Sequence, residues 1–324
     1  MTLPIFSGKH FTDKAKEAKF QPSWIIHILV FFLVFTAAQI PQSIAMSVAM
    51  FTQLSEINPN SEQLLKTLLD MMLFPNEKIV LVQLFSTIFP AVIIVIYCRF
   101  MEKRSLESMG IIKSRWALKY PLGFVLGFAM FTATLLLALA AGAISYSGTD
   151  INNGEDFGVF VLFCLGWIIQ GAEEEILCRG YFMSSLSSKL PLWAAVLVSS
   201  VTFSLLHIFN GGFNFIVFVN LTLTGIMFAL LAIRFNSLFV CCGAHSAWNL
   251  VQGNFYGLPV SGMYNLGPSV FRFQLAAKDP EVFKNAEIWT GGSFGLEGSI
   301  GETIIMIAAI CALLFIPKLK KTNN

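Results

Sequence analysis

Three consecutive glutamates, Glu173, Glu174 and Glu175, stand with Arg179 in the stretch "GAEEEILCRGYF" (171–182), in a part of the chain that is otherwise apolar. Two histidines lie in similar surroundings: His207 ends "FSLLH", and His245 begins "HSAWN", which ends at Asn249. Between Phe157 and Ala277 the three glutamates are the only acidic residues. A charge facing lipid at mid-membrane costs about 2.5–3.5 kcal/mol on insertion scales, so these groups must line a cavity, be neutralised or be paired. One pairing follows from helix geometry. Glu175 and Arg179 are four apart on one face, with the acid N-terminal to the base. The same spacing puts His245 and Asn249 on a common face.

These residue types can hydrolyse an amide bond inside a membrane. A carboxylate in a low-dielectric cavity is an effective general base; Glu174 then deprotonates a water that His207 orients or activates. Histidine and asparagine can donate hydrogen bonds to an oxyanion, and losing one such donor costs about 100- to 1000-fold in rate. His245 and Asn249 fit that role. A metal is the alternative, because Glu174, His207 and His245 supply the three ligands of a catalytic zinc with an open fourth position. Direct glutamate catalysis is favoured, with no metal required, since no further protein ligand is evident and asparagine is a poor zinc ligand. There is no H-E-x-x-H, no G-x-S-x-G-like serine motif and no pair of aspartates within the apolar segments, which removes the marks of other membrane proteases. The plainer readings are a buried ion network for the glutamates and interhelical polar glue for His245 and Asn249. Phe203 is expected to be ordinary packing, and His10 and His27 to be incidental.

The elements that position these residues must be membrane helices. Of the 324 residues, 56% are hydrophobic and 12% charged, against roughly a quarter charged in a soluble domain. A net charge of +2, with no basic run interleaved with aromatics, gives no case for nucleic acid as a partner. The six cysteines show neither zinc nor disulfide spacing and read as small apolar fillers. The first apolar run is too long for a secretory signal, so the first span is expected to stay in the mature protein. At about 20 apolar residues per crossing, eight spans are expected, near 24–50, 79–100, 120–147, 157–188, 191–209, 214–233, 237–252 and 300–317. The first contains Pro41 and is expected to bend or to continue as a surface segment. With both termini cytoplasmic, lysines and arginines divide fifteen inside to five outside, as positive-inside topology requires. The expectation is an all-α polytopic helix bundle forming one domain over 1–324, with a cytoplasmic tail at 1–23, a motif-bearing core at 157–252 and an outer loop at 253–299. That outer loop reads either as a structured cap or gate, or as solvated chain.

Depth along the helices tests whether the clusters can meet. The fourth and fifth spans form a hairpin turning at "SKLPL", with Pro191 suited to open the second helix. Glu174 and His207 lie about 25 Å from that turn on a rise of about 1.5 Å per residue. His245 lies about 14 Å and Asn249 about 20 Å past the turn near Asn236 on the same rise. The match requires the fourth helix to run unbroken through Gly180.

At these residues the chain resembles the CPBP family, also called Abi, which groups CAAX prenyl proteases with bacteriocin-processing enzymes. The family's EExxxR, FxxxH and HxxxN motifs read here as "EEILCR" (Glu174 to Arg179), "FSLLH" (Phe203 to His207) and "HSAWN" (His245 to Asn249), in order and on separate spans. The resemblance implies a membrane-embedded hydrolase, an endopeptidase in which Glu174 is the base with His207, His245 and Asn249 hold the oxyanion, and Glu175 and Arg179 are structural. It gives Glu173 no role. The family is also described as metal-dependent, which keeps zinc as a possible cofactor. The expected partner is a membrane-associated protein or peptide substrate in the lipid bilayer, and the expected location is a bacterial plasma membrane. The rival functions are a non-catalytic membrane scaffold or bacteriocin-immunity protein with the same fold, and a transporter, against which the lack of internal repeats counts.

Overall fold

The computed structural model describes residues 3–316 apart from 58, 74, 265 and 276–285. Lys278 and Lys284 of the outer loop and Lys318, Lys320 and Lys321 at the C-terminal end, all used in the charge count, lie outside the described residues. The chain is mostly helical: α1 (Trp24–Ile57), α2 (Ser61–Leu73), α3 (Glu77–Ser86), α4 (Ile88–Ile96), α5 (Trp116–Ala140), α6 (Gly154–Glu175), α7 (Ser184–Ser187), α8 (Leu192–Leu205), α9 (Phe215–Phe235), α10 (Leu238–Leu250) and α11 (Ile300–Phe315). Wider π-helical turns extend α4 over Tyr97–Met101, join α6 to α7 over Ile176–Met183 and extend α10 over Val251–Phe255. Strands β1 (Ile144–Gly148) and β2 (Arg272–Leu275) pair antiparallel, with Ile144 opposite Leu275 and Tyr146 opposite Phe273.

Among the described residues, five helical stretches are long and apolar enough to cross a bilayer: Trp24–Ile57, Glu77–Met101, Trp116–Ala140, Gly154–Ser187 and Phe215–Phe235. The chain is therefore an integral membrane protein. α8 and α11 are shorter apolar helices. Local sequence sets the starts and stops. Asn153 caps α6 by accepting from the amides of Glu155 and Asp156, which also place acids where the helix dipole favours them. Asn236, in the left-handed region at φ 48°, ends α9, and the side chain of Ser237 caps α10 at once. The two helices are thus joined by a turn too short to let them separate.

Lipid gives helices no hydrophobic reason to associate, so close packing of small residues must hold them. Gly123 and Gly127, four apart on α5, face the α10 backbone so closely that a Cβ on either would collide with Val240 or Ala244. Gly243 meets the Tyr120 carbonyl from the other side in the same way. α10 is therefore held between α5 and α6, with α9 packed against α8, α10 and α11.

Several expectations change at the ends of segments. The third helix stops at Ala140, where Gly142 at φ 69° turns the chain, and 144–148 leave as β1. The first expected span, placed at 24–50, extends further, with α1 continuing past Pro41 to Ile57 and α2 following. α8 ends at Leu205, because "NGGF" close behind supplies the breaking residues Asn210, Gly211 and Gly212; His207 sits in the turn and not in the helix. The N-terminal segment is folded back: Phe11 is buried and its amide donates to Asn236 Oδ1 at 2.6 Å. His27, read as incidental, is buried with Nδ1 3.3 Å from the Tyr181 hydroxyl and 3.4 Å from Glu102 Oε1.

Candidate active site

The glutamate helix runs from Gly154 to Ser187 without a break, as the depth match demands. Where it passes α10, a Cβ on Gly171 would lie 2.7 Å from the Ser246 nitrogen. Only glycine permits that approach, and it brings the turn bearing Glu174 and Glu175 against the turn bearing His245.

From this contact a chain of polar groups follows. Arg179 Nη1 donates to Glu175 Oε1 at 2.7 Å, both side chains fully buried, which is the ion pair expected from their spacing. His245 Nδ1–H donates to the same Oε1 at 2.9 Å. A carboxylate paired with arginine accepts and cannot donate, so Nδ1 carries the proton and Nε2 is the other, unprotonated ring nitrogen. That Nε2 lies 3.6 Å from Glu174 Oε2. Arg179 also donates to the Gly225 carbonyl at 3.1 Å and stacks under Phe203, with its guanidinium carbon 4.5 Å from the ring centroid. Phe203 is therefore more than filler: it is a cation–π partner of the motif arginine. On the other side, Phe228 lies parallel to the His245 ring at 4.8 Å.

A residue with no motif to mark it completes the set. Gln170, one turn before Glu174, donates from Nε2 to Glu174 Oε1 at 2.6 Å and accepts from Asn249 Nδ2 at 2.7 Å. It fixes which oxygen of Glu174 is occupied and holds the Asn249 amide with its nitrogen toward Gln170 Oε1. Its sequence signal was a lone glutamine in an apolar helix at i−4 from a motif acid. Glu174 Oε2 has no hydrogen-bond partner among the described residues.

His207 stands apart from this chain. Its Nδ1–H donates back to the Phe203 carbonyl at 2.9 Å, leaving Nε2 as the free ring nitrogen, and no direct contact joins it to Glu174. The two share a cavity of about 690 Å³ that is also walled by Gln170, Glu173, Asn210, Asn249 and Ser261, with Gln42, Met46 and Met50 of α1 on the opposite side. Glu173, left without a role, thus reaches the same space.

The zinc alternative can be tested on donor positions. It needs Glu174, His207 and His245 to converge on one point about 2.0–2.2 Å from each. Among the described residues no three His, Cys, Asp or Glu side chains stand close enough to share an ion. The donor set does not fit a bound metal.

Comparison with known proteins agrees with the geometry. Residues 156–251 match the family model described as "Rce1-like: Type II CAAX prenyl endopeptidase Rce1-like". No curated protein and no solved structure matches the chain. The matched stretch begins in the first turn of α6 and ends just past α10, enclosing Glu174, Glu175, Arg179, Phe203, His207, His245 and Asn249. The resemblance carried by the three motifs is borne out: the stretch from α6 to α10 is similar to the Rce1-like, CPBP family of type II CAAX prenyl endopeptidases.

Proposed function

We propose that the protein is an intramembrane endopeptidase in which Glu174 activates water against a peptide bond of a membrane-associated protein or peptide. The observation that carries this is the state of the Glu174 carboxylate. One oxygen is held by Gln170; the other is buried with no hydrogen-bond partner among the described residues and lies 3.6 Å from His245 Nε2, in a residue that lines the cavity. A water bound there loses its proton to Glu174 as its oxygen attacks the carbonyl carbon. The same proton passes to the amine nitrogen as the C–N bond breaks. The developing oxyanion is held by the second Nδ2 hydrogen of Asn249 and by His245 Nε2 when that nitrogen is protonated. His207, across the cavity, orients the attacking water through its free Nε2. Glu175 and Arg179 hold the His245 ring in place.

The chain is read as crossing the bacterial plasma membrane eight times with both termini cytoplasmic. α8, α10 and α11 are the short crossings, supported by their place beside the long ones. Cleavage of a membrane-anchored reporter by wild type and by Glu174→Gln tests the reading. Loss of a general base costs about 100- to 10,000-fold, so the variant should be all but inactive. Equal cleavage by both would remove the glutamate mechanism and leave the scaffold or immunity role.

A further inference from the structure

The outer segment does not hang free above the cavity. Glu297, in the 3-10 turn Leu296–Gly298, is buried, although it lies far from every motif in the sequence. Its Oε2 accepts from the Ser261 amide at 2.6 Å, from Ser261 Oγ at 3.0 Å and from Gln252 Nε2 at 3.3 Å. Among the described residues it makes no ion pair with lysine or arginine. The turn itself is fixed from below: Asn220 Nδ2 on α9 donates to the carbonyls of Glu297 and Ser299, both at 2.8 Å.

What Glu297 holds is a strained piece of the cavity wall. Ser261 has φ 48°, a left-handed conformation that costs a non-glycine residue energy and persists only where neighbours enforce it. Its carbonyl accepts from Asn210 Nδ2 at 2.8 Å, and the Asn210 amide donates to the His207 carbonyl at 2.9 Å. Gly262, the next residue, touches the Gly211 backbone so closely that no Cβ would fit, and its amide donates to the Phe294 carbonyl at 2.9 Å. Gln252 lies three residues past Asn249. From one carboxylate, ties thus run to the turn of His207 and to the end of the helix that carries Asn249.

We propose that Glu297 is a positioning residue for the hydrolytic site, locking Ser261 in its left-handed conformation and thereby setting the turn that carries His207 against the cavity. The outer segment is then part of the machinery, acting through His207 and not on the substrate. Burial works to raise the Glu297 carboxyl above the ordinary carboxylate range, offset in part by the Ser261 amide and the nearby His207 ring. A group so costly to bury is retained for what it holds.

The role of His207 rests on the function proposed above, so the test includes a readout that needs no catalysis. Amide hydrogen exchange is measured by mass spectrometry on the full-length protein in micelles, for wild type, Glu297→Ala and Glu297→Gln. Kinetics on the membrane-anchored reporter are measured beside it. Glu297→Ala should raise exchange in peptides covering 205–212 and 258–264 while leaving 171–182 protected. It should lower kcat by about tenfold to 100-fold, with KM within about threefold. Glu297→Gln keeps an acceptor oxygen for the Ser261 amide and should restore most of both readouts. Unchanged exchange at 205–212 in Glu297→Ala overturns the proposal, as does raised exchange with undiminished kcat. Protection lost throughout the molecule also overturns it, by showing a general stabilising role. Where Glu174→Gln cleaves like wild type, the hydrolytic reading fails, and exchange alone still decides whether Glu297 sets the His207 turn.

Discussion

His245 Nδ1 donates to Glu175 Oε1 across 2.9 Å, so the second glutamate of one helix orients the histidine of another. Arg179 occupies the same oxygen, and the whole group is buried. Removing one partner of a buried pair strands the other's charge, at a cost of about 3–5 kcal/mol. Arg179→Met should therefore lower stability by that order in a denaturant titration in micelles. Arg179→Lys should not restore it, because an ammonium cannot reach Glu175 and the Gly225 carbonyl together with the geometry of a guanidinium.

Gln170 offers a sharper test of the catalytic arrangement. Gln170→Leu preserves bulk while releasing both Glu174 and Asn249. The expected result is a fall in kcat of about tenfold to 100-fold from misorientation, with little change in KM or in melting temperature. Combined with Asn249→Ala, the loss should be well short of the product of the single effects, since both variants break one network.

Metal removal separates the two chemistries. Cleavage should continue undiminished after exhaustive treatment with a strong chelator, because Glu174, His207 and His245 do not converge as ligands. Activity lost to the chelator and restored by zinc would refute this.

Acid should loosen the β1–β2 pairing first at Asp150. Burial acts to raise this carboxyl, but hydrogen bonds from Ser269 and Arg272 and the charge of Arg272 outweigh it and hold it below its ordinary value. A depressed folded-state value means stability that is present above the unfolded value and lost as pH falls through the folded one. Below about pH 4, exchange protection of β1 and β2 should decline. Asp150→Asn should show reduced protection at neutral pH and a flattened dependence on acid.

Much of this was legible in the sequence, for reasons that particular residues make plain. The apolar segments became helices because runs of that length have no other way to satisfy their backbone in lipid. The Glu175–Arg179 pair followed from spacing alone, since both lie on one helix. What was not legible depends on contacts between elements. Gln170 carries no motif, and its importance comes from Asn249 on α10. Glu297 reaches Ser261 through loops whose path no periodicity encodes. His207 was placed within a helix because apolar residues continue past Leu205, whereas the asparagine and glycines behind it end the helix early. The same limit bears on the zinc alternative: equal depth along neighbouring helices does not by itself bring three side chains to one point.

The glycine contacts of α5 and α10 also bear on how the cavity works over time. There the backbones of Gly123, Gly127 and Gly243 touch their neighbours with no side chain between, so the helix that carries His245 and Asn249 has no slack to give up against α5. The α1 wall is different: Met46 and Met50 reach inward as long flexible chains, and the paired amides of Gln53 and Asn76 pin its outer end. Helix α10 is stiff and keeps His245 and Asn249 in register with Glu175 and Gln170. The α1 side of the cavity is lined by the more compliant side chains, which can shift without disturbing those contacts.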